Sequence, residues 1–389
     1  MAPLSIAVAS FANMFCVGTI YALSMLQAEL PRLFKTSNSW GSAPFGVSSL
    51  GLSIGLSTCS WTIAQRGAVL TAARGTALWG YAVVCAGFFL GRLNLELMIL
   101  SFFTGGVGVG WTYLGVVVMV SQGFPNLALA RSAIGPMGFS SGTAACISLS
   151  SIFKFGTLDS AELGHVLMIA GATFLAVGVA TELLMPEHIR KIQSPTFGKA
   201  PFRDSERFFS ILLFFNALPG MTVFAALLPL ASYYSREAEW ASSQFLPYSM
   251  LSLASGGILA PIFSAQLGGR TAFVALLCIR GLLLILLAHL ATPKQAMLTL
   301  LAILFSHGVG FSLLPGLVKA KNPHPVLFAH SYGRVLVSWG AAGIVGCLFN
   351  VIVLPLVGST SMASLIVGLV TLSFGGILHF TPAFGDENF

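Results

Sequence analysis

Phe11-Ala12-Asn13, followed by Thr19-Ile20-Tyr21-Ala22, comes back in the second half of the chain as Phe214-Phe215-Asn216 and Thr222-Val223-Phe224-Ala225. The offset is 203 in both cases, from 13 to 216 and from 19 to 222. Gly108-Val109-Gly110-Trp111 recurs as Gly308-Val309-Gly310-Phe311, an offset of 200. Ala64-Gln65-Arg66-Gly67 recurs, less exactly, as Ala265-Gln266-Leu267-Gly268, an offset of 201. Four matches in one order predict a chain built of two like halves, and the matching stretches lie in or beside long apolar runs.

Composition says what kind of chain that is. The sequence is 56% hydrophobic and 8% charged, where a soluble domain carries about 25% charged residues. So few charges cannot keep a 389-residue chain in water. A helix needs roughly 20 mostly apolar residues to cross about 30 Å of hydrocarbon. Such stretches begin near Leu4, Ala43, Ala68, Glu96, Arg131, Leu163, Phe208, Ala241, Thr271, Gln295, Val326 and Thr360, which makes twelve spans in two sets of six. The expected fold is therefore an all-α membrane protein of twelve transmembrane helices in two pseudo-symmetric six-helix halves, residues 1–185 and 208–389. Glycine pairs such as Gly51 with Gly55 and Gly106 with Gly110 fit helices that approach closely in lipid. The first span lacks a basic leading region, carries Asn13, Gln27 and Glu29, and matches span seven. It is expected to be a true span, although its abrupt start leaves room for a preceding tail.

Short loops rich in Lys and Arg stay in the cytoplasm. With both termini inside, the inner connections hold eleven cations: Arg66, Arg74, Arg131, Arg190, Lys191, Lys199, Arg203, Arg207, Arg270, Lys319 and Lys321. The outer ones hold six: Arg32, Lys35, Arg92, Lys154, Arg236 and Lys294. The net charge of +7 is then a signal of orientation, not a footprint for nucleic acid. Residues 186–207, with Pro186, Pro195 and Pro201 and five basic residues, read as a cytoplasmic linker between the halves.

Enzyme chemistry finds little support. Cys16, Cys59, Cys85, Cys146, Cys278 and Cys347 all fall inside spans without zinc or redox spacing, and read as packing residues. No phosphate-binding GxxxxGK[ST] is present, and the seven His form no HExxH. Gly106-Val107-Gly108-Val109-Gly110 mimics a dinucleotide loop but lies in an apolar span with no strand before it. No metal and no cofactor is expected.

Several motifs carry a family resemblance. Gly105-Gly106-Val107-Gly108-Val109-Gly110-Trp111-Thr112-Tyr113, then Gly123-Phe124-Pro125, then Gly138-Phe139-Ser140-Ser141-Gly142 resemble spans four and five of the oxalate/formate antiporter family. Gly18-Thr19-Ile20-Tyr21-Ala22-Leu23-Ser24 resembles its first span. Tyr332-Gly333 with Trp339-Gly340-Ala341-Ala342-Gly343 resembles its span eleven. That family belongs to the major facilitator superfamily, is related to the monocarboxylate transporters, and is built of two six-helix halves with cargo held between them near the midplane. The departures are specific. The family's acid before the Arg-x-Gly turn after span two is replaced here by Gln65, and the corresponding turn after span eight also lacks one. The family cations of spans eight and eleven fall on Gly257 or Ile258 and on Trp339.

What remains are two intramembrane arginines and a set of polar aromatics. Arg280 lies about ten residues into span nine, roughly 15 Å deep at 1.5 Å per residue. A charge there costs at least about 2.5–3.5 kcal/mol and marks a functional candidate, unless neighbouring carbonyls absorb it. Arg334 lies nearer the inner end of span eleven, which lines the cavity in this superfamily. Tyr21, Trp111, Tyr113, Phe224, His307, His330, Tyr332 and Trp339 are expected to face the cavity, where Tyr and Trp donate hydrogen bonds and shape the pocket; packing is the plainer alternative for each. Gln65, Arg66, Arg131 and Arg270 are expected at the inner gate. Pro136, Pro219, Pro261 and Pro315 sit inside spans, where proline kinks a helix.

The expected function is secondary active transport of a small organic anion, a monocarboxylate rather than a dicarboxylate, by an antiporter-like exchange or by proton coupling. The expected partners are that substrate, protons and the lipid bilayer, with no nucleic acid, and the expected state is monomeric. A neutral metabolite or amino acid on the same scaffold is one alternative, and a non-transporting receptor or degenerate paralogue is another. The charge count makes a direct prediction. In a cysteine-free background, a single cysteine at Gln193 should stay unlabelled by an impermeant maleimide in intact cells and react after permeabilisation; labelling in intact cells reverses the orientation.

Overall fold

In hydrocarbon, backbone N–H and C=O groups find no water, so each crossing segment must bond to itself, and helices are the solution for a chain of this composition. A computed structural model describes residues 2–36, 38–124, 127–185, 204–225, 245–290, 292–322 and 324–380. Among them, eleven helices are long and apolar enough to cross a membrane. The remaining expected span, the fifth, is the 25-residue helix Ala128–Ile152. It is long enough but rich in Ser, Gly and Thr. Large apolar side chains cover the outside of the bundle, for example Trp61 at 64% and Ile169 at 70% exposure. This is a multi-pass integral membrane protein.

The helices begin within a few residues of the expected starts. Span two is Ala43–Arg66, three Ala68–Gly91, four Leu95–Gly123, and six Ser160–Leu184. Span seven is Asp204–Phe224, nine Gly269–Leu287, ten Pro293–Lys321 and twelve Thr360–Phe380. Span eight is described from Leu246 to Leu267; its expected start at Ala241 lies outside the described residues, as do linker residues 186–203. Local caps set several of these starts. Asp159 accepts from the Ala161 and Glu162 amides while Glu162 accepts from the Asp159 amide, a complete capping box. The Asn94 and Thr292 side chains cap spans four and ten.

Two spans depart from uniform α-helix. Span one runs as α-helix over Ala2–Gly18, tightens to a 3-10 helix over Thr19–Met25, and resumes as Leu26–Phe34. Span eleven is α-helical over Pro325–Leu348, widens to a π-helix over Phe349–Val353, and ends in Leu354–Val357.

The turn between spans two and three is a single Gly67 at φ +83°, and that between eight and nine is Gly268 at φ +74°. A side chain is strained at such positive φ. This gives the Ala-Gln-x-Gly repeat a physical reason: both turns need the same backbone. We call the end of the bundle that carries these turns the Gly67 end, and the opposite one the Ser42 end.

Glycines set the helix spacing. A side chain on Gly51 or Gly55 of span two would strike the Phe103 or Val107 backbone of span four, and one on Gly106 would strike the Ser48 carbonyl. Spans eight and ten meet likewise at Gly256 and Gly308. Gly80 and Gly87 of span three face Gly171 and Gly164 of span six, and Gly281 of span nine faces Gly368 of span twelve. The first six helices meet the last six along two seams. Span eleven lies on span two, with Gly340 and Gly343 against Ser49 and Ser53, and the Ser53 hydroxyl donates to the Val337 carbonyl at 3.2 Å. Span eight meets span five at Gly257 and Pro136.

Gly106→Val should lower stability by about 3 kcal/mol, because backbone cannot move aside for the added carbons. Gly376→Ala, with nothing within 4 Å of the new carbon, is the neutral control. Thermal unfolding in detergent distinguishes them; equal midpoints refute backbone-limited packing.

Candidate functional site

A cavity of about 600 Å³ lies between the two sets of helices. Its wall comes from Met14 of span one, Tyr113 to Ser121 of span four, Gly135 and Pro136 of span five, Pro261 to Ala265 of span eight, Phe311 to Ala320 of span ten and Phe328 of span eleven. At the Gly67 end its rim residues Ala265, Gly316 and Ala320 are exposed. Three in-span prolines, Pro136, Pro261 and Pro315, form part of the wall, where proline leaves a carbonyl without its helical donor. Among the described residues, the lining carries one cation, Lys319, and no carboxylate.

The cavity ends on aromatic rings. Tyr113 and Phe311 belong both to its wall and to a second, enclosed space of about 40 Å³. That space is bounded further by Tyr21, Phe139, Ser140, His307 and Trp339. Tyr21 stacks on Phe224 with centroids 4.1 Å apart and meets Phe139 edge-on at 5.0 Å. Trp339 packs on Tyr113 at 4.8 Å and on Phe311 at 5.3 Å. The Trp339 indole N–H donates to the Tyr21 hydroxyl at 3.2 Å. This stack joins spans one, four, five, seven, ten and eleven across both halves. Beyond it, toward the Ser42 end, the Cys347 thiol donates to the Ser42 carbonyl at 3.3 Å and the Asn350 amide to the Thr222 carbonyl at 2.9 Å.

Of the residues expected at the cavity, the structure brings Tyr21, Tyr113, Phe224, His307 and Trp339 together. His307 is 1% exposed and lies 4.7 Å from the Phe311 ring and 5.7 Å from Phe224. Tyr332 is fully buried and stacks on Phe328 at 5.4 Å, behind the wall. Trp111 points elsewhere and donates to the Thr58 hydroxyl at 3.0 Å. The His330 ring lies 3.3 Å from the Ser60 hydroxyl on the span two–eleven seam.

Neither arginine lines the cavity. Arg280, fully buried, reaches from span nine to spans seven and ten. It donates to the Asn216 carbonyl and side-chain oxygen, to the Ser306 hydroxyl at 2.9 Å and to the Ser306 carbonyl at 2.6 Å. Trp79, 201 residues earlier, reaches from span three to span one in the same manner, donating to the Cys16 carbonyl at 3.1 Å and the Thr19 hydroxyl at 3.0 Å. Arg334 pairs with Glu206 of span seven at 3.2 Å, and Ser331 donates to the same carboxylate at 2.6 Å. At the Gly67 end, Gln65 and Arg66 are exposed. Arg270 donates to the Leu378 and His379 carbonyls, tying span nine to span twelve. The Arg131 side chain lies outside the described residues.

Sequence reading missed Phe311, Met14 and Lys319. Phe311 sits opposite Trp111 in the repeat and had that signal. Lys319 read only as a loop cation, because its place near a span end hides that the helix flanks a cavity.

Arg280→Leu should destabilise the protein by about 3 kcal/mol, since it strips donors from buried acceptors. A lowered unfolding midpoint in detergent would show this; an unchanged midpoint would free Arg280 for a direct role in binding.

No family model and no curated relative matches the sequence. Solved structures do. The chain is similar to a major facilitator superfamily transporter, FucP, in the outward conformation, with a TM-score of 0.68 and 14% identity over 98% of this chain and 99% of that one. It is also similar to the nucleoside transporter NupG, with a TM-score of 0.66 and 16% identity over 98% of each chain. The expected major facilitator fold is thereby shown.

Proposed function

We propose that this protein is a secondary transporter of a small amphipathic monocarboxylate, moved by exchange or with a proton through alternating access at the central cavity. In this reading, residues 1–185 and 208–389 are the two moving halves, residues 186–207 link them, and the Gly67 end faces the cytoplasm. The observation that carries it is the cavity itself. It lies between the halves, holds one cation and no carboxylate among its described lining residues, and ends on an aromatic stack contributed by both halves.

Each half of that description has a physical consequence. A carboxylate in a low-dielectric cavity needs a counter-charge, and a single cation suits a monoanion. The apolar wall suits a hydrocarbon tail. The stack of Tyr21, Phe224 and Trp339 closes the path toward the Ser42 end, and among the described residues the exposed rim of the cavity is at the Gly67 end, which suits alternating access. His307 borders the small enclosed space beside the stack, and in this reading a histidine there carries a proton with cargo. The resemblance of spans one, four, five and eleven to the oxalate/formate antiporters supports an anion.

One observation favours a neutral metabolite or amino acid instead: Arg280 and Arg334 are both held by protein partners away from the cavity. Uptake decides between them. Proteoliposomes holding the purified protein should accumulate a labelled monocarboxylate, faster with an inward proton gradient or against an internal carboxylate. Accumulation of a neutral amino acid or metabolite, with no carboxylate uptake, selects the alternative. Binding without uptake of any member of the panel selects a receptor or degenerate paralogue.

A further inference from the structure

We infer that Gly316 sets the width of the cavity mouth, and that the mouth admits, and the cavity prefers, ring-bearing monocarboxylates over straight-chain ones. This rests on the monocarboxylate reading above and deepens it. Gly316 lies in span ten, directly after the in-span Pro315. It is on the cavity wall and exposed at the Gly67 end. Residues three and four apart on a helix share a face. Ser312 and Leu313, one turn before Gly316, and Lys319 and Ala320, one turn after it, line the cavity as well. Position 316 is thus the middle of the face that span ten turns to the cavity, and a side chain there would stand in the mouth.

Neither packing nor backbone conformation accounts for a glycine at this place. Glycine inside a helix is less stable than alanine. Gly308, on the same helix, is fixed by close contact, since a side chain there would strike the Leu253 carbonyl. At Gly316 an added Cβ would meet no atom of the described residues within 4 Å. The positive-φ glycines among the described residues are Gly67, Gly268 and Gly358, so no left-handed turn needs one at 316 either. What the missing side chain leaves is open width. Ala265 and Ala320, exposed beside it at the rim, are nearly as small.

The space behind the mouth is of matching scale. An engineered apolar cavity of about 150 Å³ holds a benzene ring, and this one is about 600 Å³. A short straight-chain acid leaves most of it empty. The inner end, formed by Tyr113 and Phe311, is aromatic, and a cargo ring meets such rings edge-on or offset. Phe311 lies five residues before Gly316, about 7.5 Å along the axis at 1.5 Å per residue. A ring resting on Phe311 has therefore passed Gly316 on its way in.

The test adds the missing side chain after folding. Uptake of labelled butyrate and labelled phenylpropionate, a straight-chain and a ring-bearing acid, is measured side by side in proteoliposomes. Wild-type protein and Gly316→Cys should carry both, phenylpropionate with the lower KM. Methyl methanethiosulfonate then adds a methylthio group to the cysteine as a mixed disulfide, and dithiothreitol removes it. Modified Gly316→Cys should lose phenylpropionate uptake about tenfold or more relative to butyrate, and reduction should restore it. Wild-type protein, with its six cysteines, and Gly376→Cys, at an open position of span twelve away from the cavity wall, should keep their ratio under the same reagents. Gly316→Leu, checked for a monodisperse elution profile, should show the same loss without reagent, and Gly316→Ala little of it. A folded Gly316→Leu with the wild-type ratio of the two uptakes overturns the inference, and so does a fully modified Gly316→Cys with that ratio. Wild-type protein that favours butyrate over phenylpropionate overturns the ring preference and leaves the monocarboxylate reading standing. Wild-type protein that takes up no carboxylate overturns that reading instead.

Discussion

Everything in this molecule follows from the absence of water in the middle of a bilayer. Backbone polar groups there must be satisfied within each helix. Once they are, no hydrophobic force draws one helix to another, and close contact must do the work. The glycines on spans two and four, eight and ten, three and six, and nine and twelve let backbones touch where any side chain would collide. Helices held at that distance leave little freedom for small adjustments. The two sets of helices meet along the span two–eleven and five–eight seams.

The polar groups are distributed accordingly. Arg280 and Trp79 occupy matching places and do matching work, each fastening a peripheral helix to the first helix of its set. Their donors meet carbonyls and hydroxyls rather than carboxylates, so the buried charge of Arg280 is spread over several acceptors. Arg334 and Glu206 fasten span eleven to span seven within the second set. Among the described residues, the cavity between the sets is left with apolar walls, a few hydroxyls and one ammonium at its rim. Structural charge and cavity charge are thus separate.

The sequence made the fold legible because hydrophobic length and the repeat are both long-range, redundant signals. Twelve apolar runs, the starts of those that begin among the described residues, and the matching Gly67 and Gly268 turns could be read from residue order alone. The aromatic stack was half legible: Tyr21, Tyr113, Phe224, His307 and Trp339 lie on helices that line a cavity in the resembling family. Tyr332 lies on one of the same helices but packs behind the wall residue Phe328, and Trp111 turns to Thr58, because a difference of a few residues rotates a side chain to another side. The arginines were misleading for a related reason. An intramembrane charge is costly, but nothing in the local sequence says whether carbonyls from another helix meet it. Lys319, the one cation among the described lining residues, was hidden among the loop charges.

The 3-10 segment Thr19–Met25 holds Tyr21 in the middle of span one. A 3-10 helix rises about 2.0 Å per residue with 3.0 residues per turn, against 1.5 Å and 3.6 in an α-helix. Relaxing these seven residues to α-helix would therefore draw the two ends of span one together by roughly 3.5 Å. It would also unwind the screw by roughly 20° per residue. The Tyr21 ring, stacked on Phe224 in the overwound form, would be carried around the helix axis and out of register with it. In span one, axial shortening and rotation of the Tyr21 ring are therefore one coordinate.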